Sequence, residues 1–382
     1  MPFDSSSEQR LLRDTLQSFL ADAYDMDARR RITQSVHGWS PDIWKRLATD
    51  LGILGLGFSA DWGGLDGDGL DQIPVMEAFG QSLVIEPYLE TVILCGSLLQ
   101  TSGTAAARAL AGEIMAGEAR LALAHLEGGA FRPYQIETRA ERRGKDNWRL
   151  TGRKSVVIGG AWATHLLVVA RLDGSRLDRS GLGIFVVEAE RPGVEHVAYP
   201  TIDGRRACDL QLDVELPAAA LLLGDATPEA LDLALDRAVA GLCAEAVGVM
   251  RRLLGETHAY ISERRQFGAP LATFQALQHR MADMLVALEL SSGHAYQAAN
   301  VLTAPTPQRA SAVSAAKVFI GRAAHRVGQA AVQLHGGMGM TDELLIGHLF
   351  KRAIAIEGQF GSSDYHLQRF QTLQDKARRA FH

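Results

Sequence analysis

Two segments far apart in the sequence have the residue types of a phosphate-binding site. The first is Glu263–Gly268 (ERRQFG), which ends one long helical pattern and is followed by Phe274 and Gln275 at the start of another. Arginine binds phosphate through paired hydrogen bonds, and glycine allows a tight turn. A flavin pyrophosphate across a helix junction fits this segment, and an ordinary surface turn fits it equally. The second segment, Gln333–Gly339 (QLHGGMG), favours the flavin interpretation.

Together the two segments resemble the acyl-CoA dehydrogenase family, and the resemblance covers nearly the whole chain. The segments Ser7–Leu12 and Phe360–His366 look most like the small-subunit type typified by pimeloyl-CoA dehydrogenase. The resemblance implies an FAD cofactor and an acyl-CoA substrate that loses a proton from the α carbon and a hydride from the β carbon. It also implies that an electron-transfer flavoprotein collects the electrons. Because the cofactor accepts the hydride, the protein must supply one base.

The resemblance also implies cofactor contacts, residue by residue. In the family these groups act in trans, on an FAD bound mainly by the partner subunit. Arg264 matches the arginine at the pyrophosphate, and the Gln333 segment matches the turn on the adenosine side. The full set of implied FAD contacts is Arg264, Gln266, Phe267, Phe274, Gln275, Gln333, Gly336 and Gly337. This half of the family signature is intact.

The half of the signature that binds FAD within the same chain is altered. The usual Thr-Glu-Pro step corresponds to His125–Glu127. Within Ser155–Ile158, the places where the family usually has a tryptophan and a hydroxyl residue carry neither. Counting without gaps from Gln333 places Phe360 at the position of the usual catalytic glutamate. A phenylalanine cannot accept a proton, so the usual base is missing.

Two carboxylates are candidates for the missing base. Glu357 lies one helical turn before Phe360 and precedes Gly358, so a short shift of the chain would restore a Glu-Gly step. Its alternative role is a helix-end carboxylate paired with Arg352 or with solvent. Glu245 interrupts an apolar helix, and its alternative role is to pair with a basic residue of the helical bundle. Either base would need an apolar site that raises its pKa.

Two further segments have less specific patterns. His335, beside the glycine turn, is more typical of a packing or hydrogen-bonding residue than of a catalyst. Arg205 and Arg206 follow Asp203-Gly204 and are more typical of a solvated hairpin turn than of a clamp for coenzyme A phosphate.

The composition is that of an ordinary globular protein. Of 382 residues, 47% are hydrophobic and 22% charged, and the net charge of -5 argues against a nucleic-acid binder. The cysteines Cys95, Cys208 and Cys243 fit neither a metal site nor a disulfide framework, which favours reduced core residues in a cytoplasmic protein. The segment Met1–Ser5 lacks the features of a secretory signal, and no apolar run reaches the roughly 18 residues of a membrane helix.

Hydrophobic periodicity predicts helices, then strands, then longer helices. Helical patterns begin near residue 5, with Ser7 as the predicted cap, and recur after Ser40, where Pro41 occupies the first turn. Further helices are predicted over residues 71–82, 87–101 and 104–117. The predicted fold is α+β and mostly α, with an all-α domain (1–119), a β domain (120–225) and a C-terminal helical bundle (226–382). That the β domain is a sandwich is implied by the family.

Three functions remain open from the sequence. The first is an active FAD-dependent acyl-CoA dehydrogenase of fatty acid metabolism, with Glu357 as base, in a homodimer or homotetramer. The second is a non-catalytic subunit that lends Arg264, Phe267 and Gln333 to the FAD of a larger subunit in a heterotetramer. Another flavin reaction, such as oxygen-dependent oxidation, is a third possibility. The small-subunit resemblance implies a dicarboxylic or ring-bearing acyl group, but no residue identifies it.

Overall fold

A computed structural model describes residues 6–380 of the chain. The segment Met1–Ser5, on which the expectation of a missing secretory signal depends, lies outside this range. The described chain forms two compact units. One contains the chain up to Arg31, residues 69–84, and the chain from Val239 onward. The other contains residues 32–68 and 85–238.

Helices dominate both ends of the chain. They are α1 (Ser7–Ala23), α2 (Met26–Gln34), α3 (Pro41–Thr49), α4 (Gly69–Ser82), α5 (Gly96–Ser102), α6 (Ala105–Met115), α7 (Thr227–Glu263), α8 (Gln275–Asn300), α9 (Thr306–His335), α10 (Leu345–Gly358) and α11 (Ser363–Ala380). The predicted fold class is confirmed: a helical N-terminal region precedes a β region and a C-terminal group of long helices. The exact domain boundaries stay a prediction.

Helix starts follow the sequence signals closely. Ser40 caps α3 through its side chain, and Pro41 is the first helical residue, as predicted. The predicted cap of α1 was wrong by one residue. Ser6 accepts from Gln9 N, and the Gln9 side chain accepts from Ser6 N, which makes a capping box. The Ser-x-x-Gln spacing could have identified this cap.

One predicted helix has a different form. The segment Leu89–Cys95, within the helix expected over residues 87–101, is π-helical and leads into α5. Helix α2 was not predicted. It is rich in arginine and contains one buried residue, Arg29, whose Nε donates to Leu83 O. Because its buried residue is an arginine, α2 has no hydrophobic periodicity from which a helix could be predicted.

The β region is one hydrogen-bonded sheet whose strands cover a shared core. The strands are β1 (Leu121–Ala124), β2 (Arg139–Arg143), β3 (Asn147–Ile158), β4 (His165–Arg171), β5 (Leu182–Glu188), β6 (Val194–Pro200), β7 (Arg206–Pro217) and β8 (Leu221–Leu223). Their order is β6-β7-β3-β2-β4-β5-β8, with β1 paired to β4. A single register pair, Arg139 with Arg171, joins β2 to β4. Trp148 of β3 meets Phe185 of β5 edge to face at 5.4 Å within the core.

Two strands, β2 and β6, lack the alternating burial by which a strand is recognised in a sequence. In β2 only Ala140 is buried, and β6 has no buried residue. Arg205 lies in the hairpin turn between β6 and β7, as predicted, but the predicted solvation of its side chain was wrong. Arg205 is buried, and its Nη1 lies 3.6 Å from Glu90 Oε1. The turn sequence does not predict this burial, because the carboxylate of Glu90 comes from a distant part of the chain.

The unit that contains the C-terminal helices is centred on α9, which packs against α8, α10 and α11. Cys243 is buried in this unit, and Cys95 and Cys208 are buried in the other, as expected. Glu245 of α7 and Arg352 of α10 form a buried pair with two hydrogen bonds of 2.7 Å each. No helix within residues 6–380 is both long enough and apolar enough to cross a membrane.

Helices α4 and α7 approach each other through a pair of glycines. A Cβ on Gly80 would lie 2.1 Å from Glu245 O, and one on Gly248 would lie 2.0 Å from Glu77 O. No real Cβ atom fits at such distances, so both helix backbones need glycine at the crossing. The crossing therefore fixes the position of α7 in this unit.

We expect Gly248→Ala to destabilise the protein by about 1–3 kcal/mol, because overpacking exceeds the gain in helix propensity. Gly255→Ala on the same helix is the matched control. A Cβ there meets nothing within 4 Å, so alanine should stabilise the helix by about 0.5–1 kcal/mol. Urea unfolding of both variants measures the difference. Equal stability of the two variants would contradict the close crossing.

Candidate functional site

The junction of α7 and α8 is a short, exposed hairpin. Strands β9 (Arg265–Gln266) and β10 (Ala269–Pro270) pair in antiparallel fashion around the two-residue turn Phe267-Gly268. Both turn residues have positive φ, +52° and +80°, as tight hairpin turns of type I′ require. A phenylalanine in this conformation costs about 1–3 kcal/mol. The strained turn therefore presents an aromatic ring to solvent.

The predicted cofactor residues of this hairpin lie on its surface. Phe267 is 91% exposed and meets Phe274 edge to face at 6.1 Å. Arg264, Gln266 and Gln275 are also exposed. Among the residues that the structure describes, the Arg264 side chain has no hydrogen bond or ion pair. Its guanidinium is therefore available to an anion.

The second predicted segment lies at the end of α9. Gly336 caps this helix with φ +61° and begins a 3-10 turn that runs to Met340. Gln333 and both glycines, Gly336 and Gly337, are exposed. A Cβ on either glycine would meet nothing within 4 Å, so only Gly336 needs glycine for its backbone conformation.

A stacked aromatic pair joins the two segments. Tyr260, one turn before Arg264 on α7, stacks on His335 with ring centroids 4.3 Å apart and planes at 24°. Tyr260 O accepts from Arg264 N at 2.9 Å, and the Tyr260 hydroxyl donates to His335 O at 3.4 Å. His335 is buried, as its packing role predicted, and Gln333 is two residues away. The structure therefore brings the two sequence-predicted segments to one end of the helical unit.

The connection between α10 and α11 holds Phe360 in a fixed position. Phe360 is buried and has a φ of +56°, and its carbonyl accepts from His366 Nε2 at 3.0 Å. His366 Nδ1 lies 3.3 Å from Ser314 Oγ on α9. Burial lowers the pKa of His366 to about 3, so the ring is neutral and can donate from one nitrogen only. Phe360 is the residue that the count from Gln333 aligns with the catalytic glutamate of the family.

Glu357 holds the beginning of α11. Its Oε1 accepts from Ser363 N at 2.8 Å, while Oε2 has no hydrogen-bond partner within residues 6–380. Of the two partners considered for Glu357 as a helix-end carboxylate, Arg352 or solvent, Arg352 is excluded, because it binds Glu245 instead. Glu357 is half-buried and lines an open cavity between helices, so a role in chemistry stays a prediction.

A buried lysine fixes the same connection from α9. Lys317 Nζ donates to the carbonyl oxygens of Ile356 and Glu357, the latter at 3.0 Å. Lys317 is 1% exposed, and this burial lowers its pKa to about 8. No motif in the sequence identifies this residue. An isolated lysine among apolar helix residues (SAAKVFIG) was the available signal.

The segment His125–Glu127, which replaces the usual Thr-Glu-Pro step, has a structural role in the β region. Glu127 accepts hydrogen bonds from Lys154 Nζ at 2.5 Å, from Thr138 N at 3.0 Å and from Glu137 N. Burial opposes the charge of Glu127, but Lys154 and these hydrogen bonds together hold its pKa below the usual range. Burial and the Lys154 charge lower the pKa of His125 to about 3. This segment contains a neutral histidine and a paired glutamate, and neither is positioned to act as a free base.

Comparison with known proteins gives one consistent result. Models of three acyl-CoA dehydrogenase domains match the chain: the N-terminal domain over residues 6–117, the middle domain over 122–214 and the C-terminal domain over 230–371. The acyl-CoA dehydrogenase IpdE2 of Mycolicibacterium smegmatis is 29% identical over 348 residues, which cover 91% of this chain and 93% of the relative.

Two solved assemblies have the same fold. A variant of the steroid acyl-CoA dehydrogenase Tcur3481–Tcur3483 is 30% identical with a TM-score of 0.86, covering 97% of this chain and 98% of its own. The ChsE4–ChsE5 complex from Mycobacterium tuberculosis is 26% identical with a TM-score of 0.85, at the same coverage. The three domain models and these full-length similarities show that the chain belongs to the acyl-CoA dehydrogenase family of flavoprotein oxidoreductases.

Proposed function

We propose that this chain is the small subunit of a hetero-oligomeric, FAD-dependent acyl-CoA dehydrogenase. In this role it is non-catalytic by itself and completes the FAD site of a larger subunit. The assembled enzyme introduces the α,β double bond into an acyl-CoA thioester and passes the electrons to an electron-transfer flavoprotein.

The observation that carries this proposal is the state of Phe360. The phenyl ring is buried where the family count places the catalytic glutamate, and its carbonyl is bound by His366. Both candidate bases are engaged in other contacts: Glu245 binds Arg352 through both oxygens, and Glu357 accepts from the first amide of α11 through one oxygen. A chain without a free carboxylate at this position needs a partner to abstract the α proton.

The residues present fit an FAD held between subunits. The Arg264 guanidinium is unpaired within the described chain and would bind the pyrophosphate, with two parallel hydrogen bonds as its usual geometry. Gln333 and the exposed turn at Gly336 and Gly337 would contact the adenosine side, and Phe267 would cover an aromatic ring. When bound, FAD supplies the hydride acceptor, and these side chains hold it and exclude water.

The solved relatives support a partner of the same family. Two of them are assemblies of two different chains by name, Tcur3481–Tcur3483 and ChsE4–ChsE5. The first is described as a steroid enzyme, which agrees with the ring-bearing alternative for the acyl group. The pimeloyl-type resemblance supports the dicarboxylic alternative. A cytoplasmic location completes the proposal.

A second candidate function is an active homo-oligomeric enzyme with Glu357 as its base. One observation favours it: Glu357 lines the open cavity, and its Oε2 is without a hydrogen-bond partner in the described part of the chain. An oxygen in that state can accept a proton from a ligand that enters the cavity.

Purification of the chain alone, and together with a co-encoded larger family member, tests the proposed function. We expect a colourless, inert protein by itself and a yellow complex that reduces an electron acceptor with acyl-CoA. The measurements are the flavin absorbance per subunit and the rate of bleaching on addition of substrate. A chain that is yellow and active alone would refute the subunit role.

Removal of the Arg264 guanidinium should weaken flavin retention by the complex. A hydrogen bond to a charged group contributes about 1.5–3 kcal/mol, so Arg264→Ala should raise the FAD dissociation constant roughly 10- to 150-fold. Arg265→Ala is the neighbouring control, because Arg265 is equally exposed but lies in β9 and matches no family contact. Equal flavin content in both variants would exclude the trans contact.

Glu357→Gln separates the two candidate functions. In the proposed subunit, glutamine keeps an oxygen that accepts from Ser363 N, so turnover of the complex should change less than about fivefold. In the active homo-oligomer, loss of the base should lower kcat by about 100-fold or more. Glu113→Gln, on the exposed surface of α6, is the control. A large loss of kcat with unchanged flavin content would favour the second function.

A further inference from the structure

Strand β6 (Val194–Pro200) is an exposed edge of the sheet in the β region. It pairs only with β7, so its other side has no strand beside it among residues 6–380. Five of its seven residues are exposed, and the other two are half-buried. The opposite edge, β8, has only three residues, of which two are buried. Natural proteins keep sheet edges short or covered, so a seven-residue edge left open within one chain indicates a partner outside it.

Half of the backbone groups of β6 point away from the sheet. Just after the strand, Thr201 N donates to Arg205 O at 2.9 Å, so these two residues are a bonded pair of the β6–β7 ladder. Bonded pairs alternate along an antiparallel ladder, so the odd-numbered residues of β6 bond to β7. The N–H and C=O groups of His196 and Ala198 therefore face outward. Within the described part of the chain, these groups have no hydrogen-bond partner.

Exposed apolar side chains accompany this edge. Val197, at the centre of β6, is 70% exposed, and Ile202, in the turn after the strand, is 61% exposed. Val36 is 90% exposed, and the neighbouring Ser35 O accepts from Arg206 Nη2 at the start of β7. Large apolar side chains exposed beside a free strand edge are typical of an interaction surface.

The middle of β6 lacks the devices by which proteins prevent edge pairing. Residues 196–199 contain no lysine, arginine, aspartate or glutamate, and the register with β7 has no bulge. The residues of β6 that disfavour pairing, Glu195 and Pro200, lie near its two ends. Pairing is therefore open at the centre of the strand and limited at both ends.

We propose that β6 pairs in antiparallel fashion with β6 of a second copy of this chain, about a two-fold axis at Val197. In this register His196 lies opposite Ala198 of the second copy, and their N–H and C=O groups form four hydrogen bonds across the axis. The two Val197 side chains meet at the axis, where facing residues without mutual hydrogen bonds approach most closely. Glu195 lies opposite Tyr199 of the second copy, so no like charges face each other.

The outward groups of β6 are self-complementary, and for this reason a second copy fits the edge. Each copy supplies the two donors and two acceptors of His196 and Ala198, and the two-fold register uses all of them. The ladder ends beyond them, because Val194 N already donates to Arg191 O at 3.0 Å and Pro200 has no N–H. The pair covers both β6 edges, so it is closed and cannot extend into a fibre through them.

The pairing is separate from the FAD contacts proposed above. Strand β6 belongs to the unit that contains residues 85–238, whereas Arg264 and Gln333 belong to the other unit. In a heterotetramer the β6 pair would join the two small subunits, and in a homo-oligomer it would join two equal subunits. The inference therefore applies to either candidate function.

Cysteine cross-linking of the purified full-length chain tests the register. Val197→Cys should give a disulfide-linked dimer on mild oxidation, because facing Cα atoms at such a site are about 4.5 Å apart, which a disulfide allows. Glu195→Cys is the matched control. Its two copies would lie four residues apart along the paired strands, about 13–14 Å, and should not cross-link. The native cysteines are buried, so non-reducing electrophoresis reports the introduced thiols.

A proline at position 198 tests the hydrogen bonds. Ala198→Pro removes two of the four proposed bonds, while the fold of the single chain should persist because this N–H points away from β7. The dissociation constant of the pair should rise about 10-fold or more. Ala198→Ser keeps the N–H and should change it less than about twofold. Analytical ultracentrifugation over a concentration series measures both, and melting temperatures confirm that the variants are folded.

Three results would overturn the proposal. The first is cross-linking of Val197→Cys no greater than that of Glu195→Cys, and the second is equal self-association of Ala198→Pro and Ala198→Ser. The third is an Ala198→Pro variant that loses a larger subunit but still self-associates, which would assign the edge to that subunit. Flavin content and activity of the assembled complex test the subunit role separately, so either proposal can fail while the other stands.

Discussion

The stack of Tyr260 on His335 is the contact on which the arrangement of the site depends. It joins the last turns of α7 and α9. Tyr260 is hydrogen-bonded to Arg264, which precedes the hairpin, and to His335, which precedes the glycine turn. The stack thus joins two segments that are about 70 residues apart in sequence. The close crossing of α4 and α7 at Gly80 and Gly248 supports this stack, since it fixes the helix on which Tyr260 lies.

A second group of contacts fixes the connection between α10 and α11. Lys317, Glu357 and His366 each bind the connection between α10 and α11, and together they hold Phe360 inward. The connection is therefore held by three side chains around Phe360, whose own ring cannot accept a proton. Rigid groups that surround an inert side chain fit a subunit whose contribution to a shared flavin site is positional.

Much of the fold could be predicted from the sequence, because caps and periodicity are local signals. The Ser40-Pro41 start and the order of helices and strands followed directly from them. The missed elements have one physical property in common. In α2 and β6 the buried face is absent or charged, so no hydrophobic period exists to detect. The π-helical segment Leu89–Cys95 is buried at every position, so its sequence shows no period that would distinguish it from an α-helix.

The candidate site was only partly accessible to sequence reasoning. Arg264 and Gln333 could be named from motifs. Both are exposed, and the Tyr260–His335 stack joins the two segments in which they lie. The partners of Glu245 and Glu357 could not be named, because Arg352 and Ser363 N approach them through the packing of separate helices. The cavity beside α9 was invisible for the same reason: four helices contribute to it, and no single segment has a recognisable pattern.

The buried amine of Lys317 gives the α10–α11 connection an unusual tolerance of alkaline solution. Its pKa is about 8 in the folded chain and 10.5 in an exposed lysine. Between these values the unfolded chain binds more protons, so the contribution of this group to stability increases with pH. The two carbonyl acceptors match the two N–H donors of an uncharged amine, so the connection keeps both hydrogen bonds after the proton leaves.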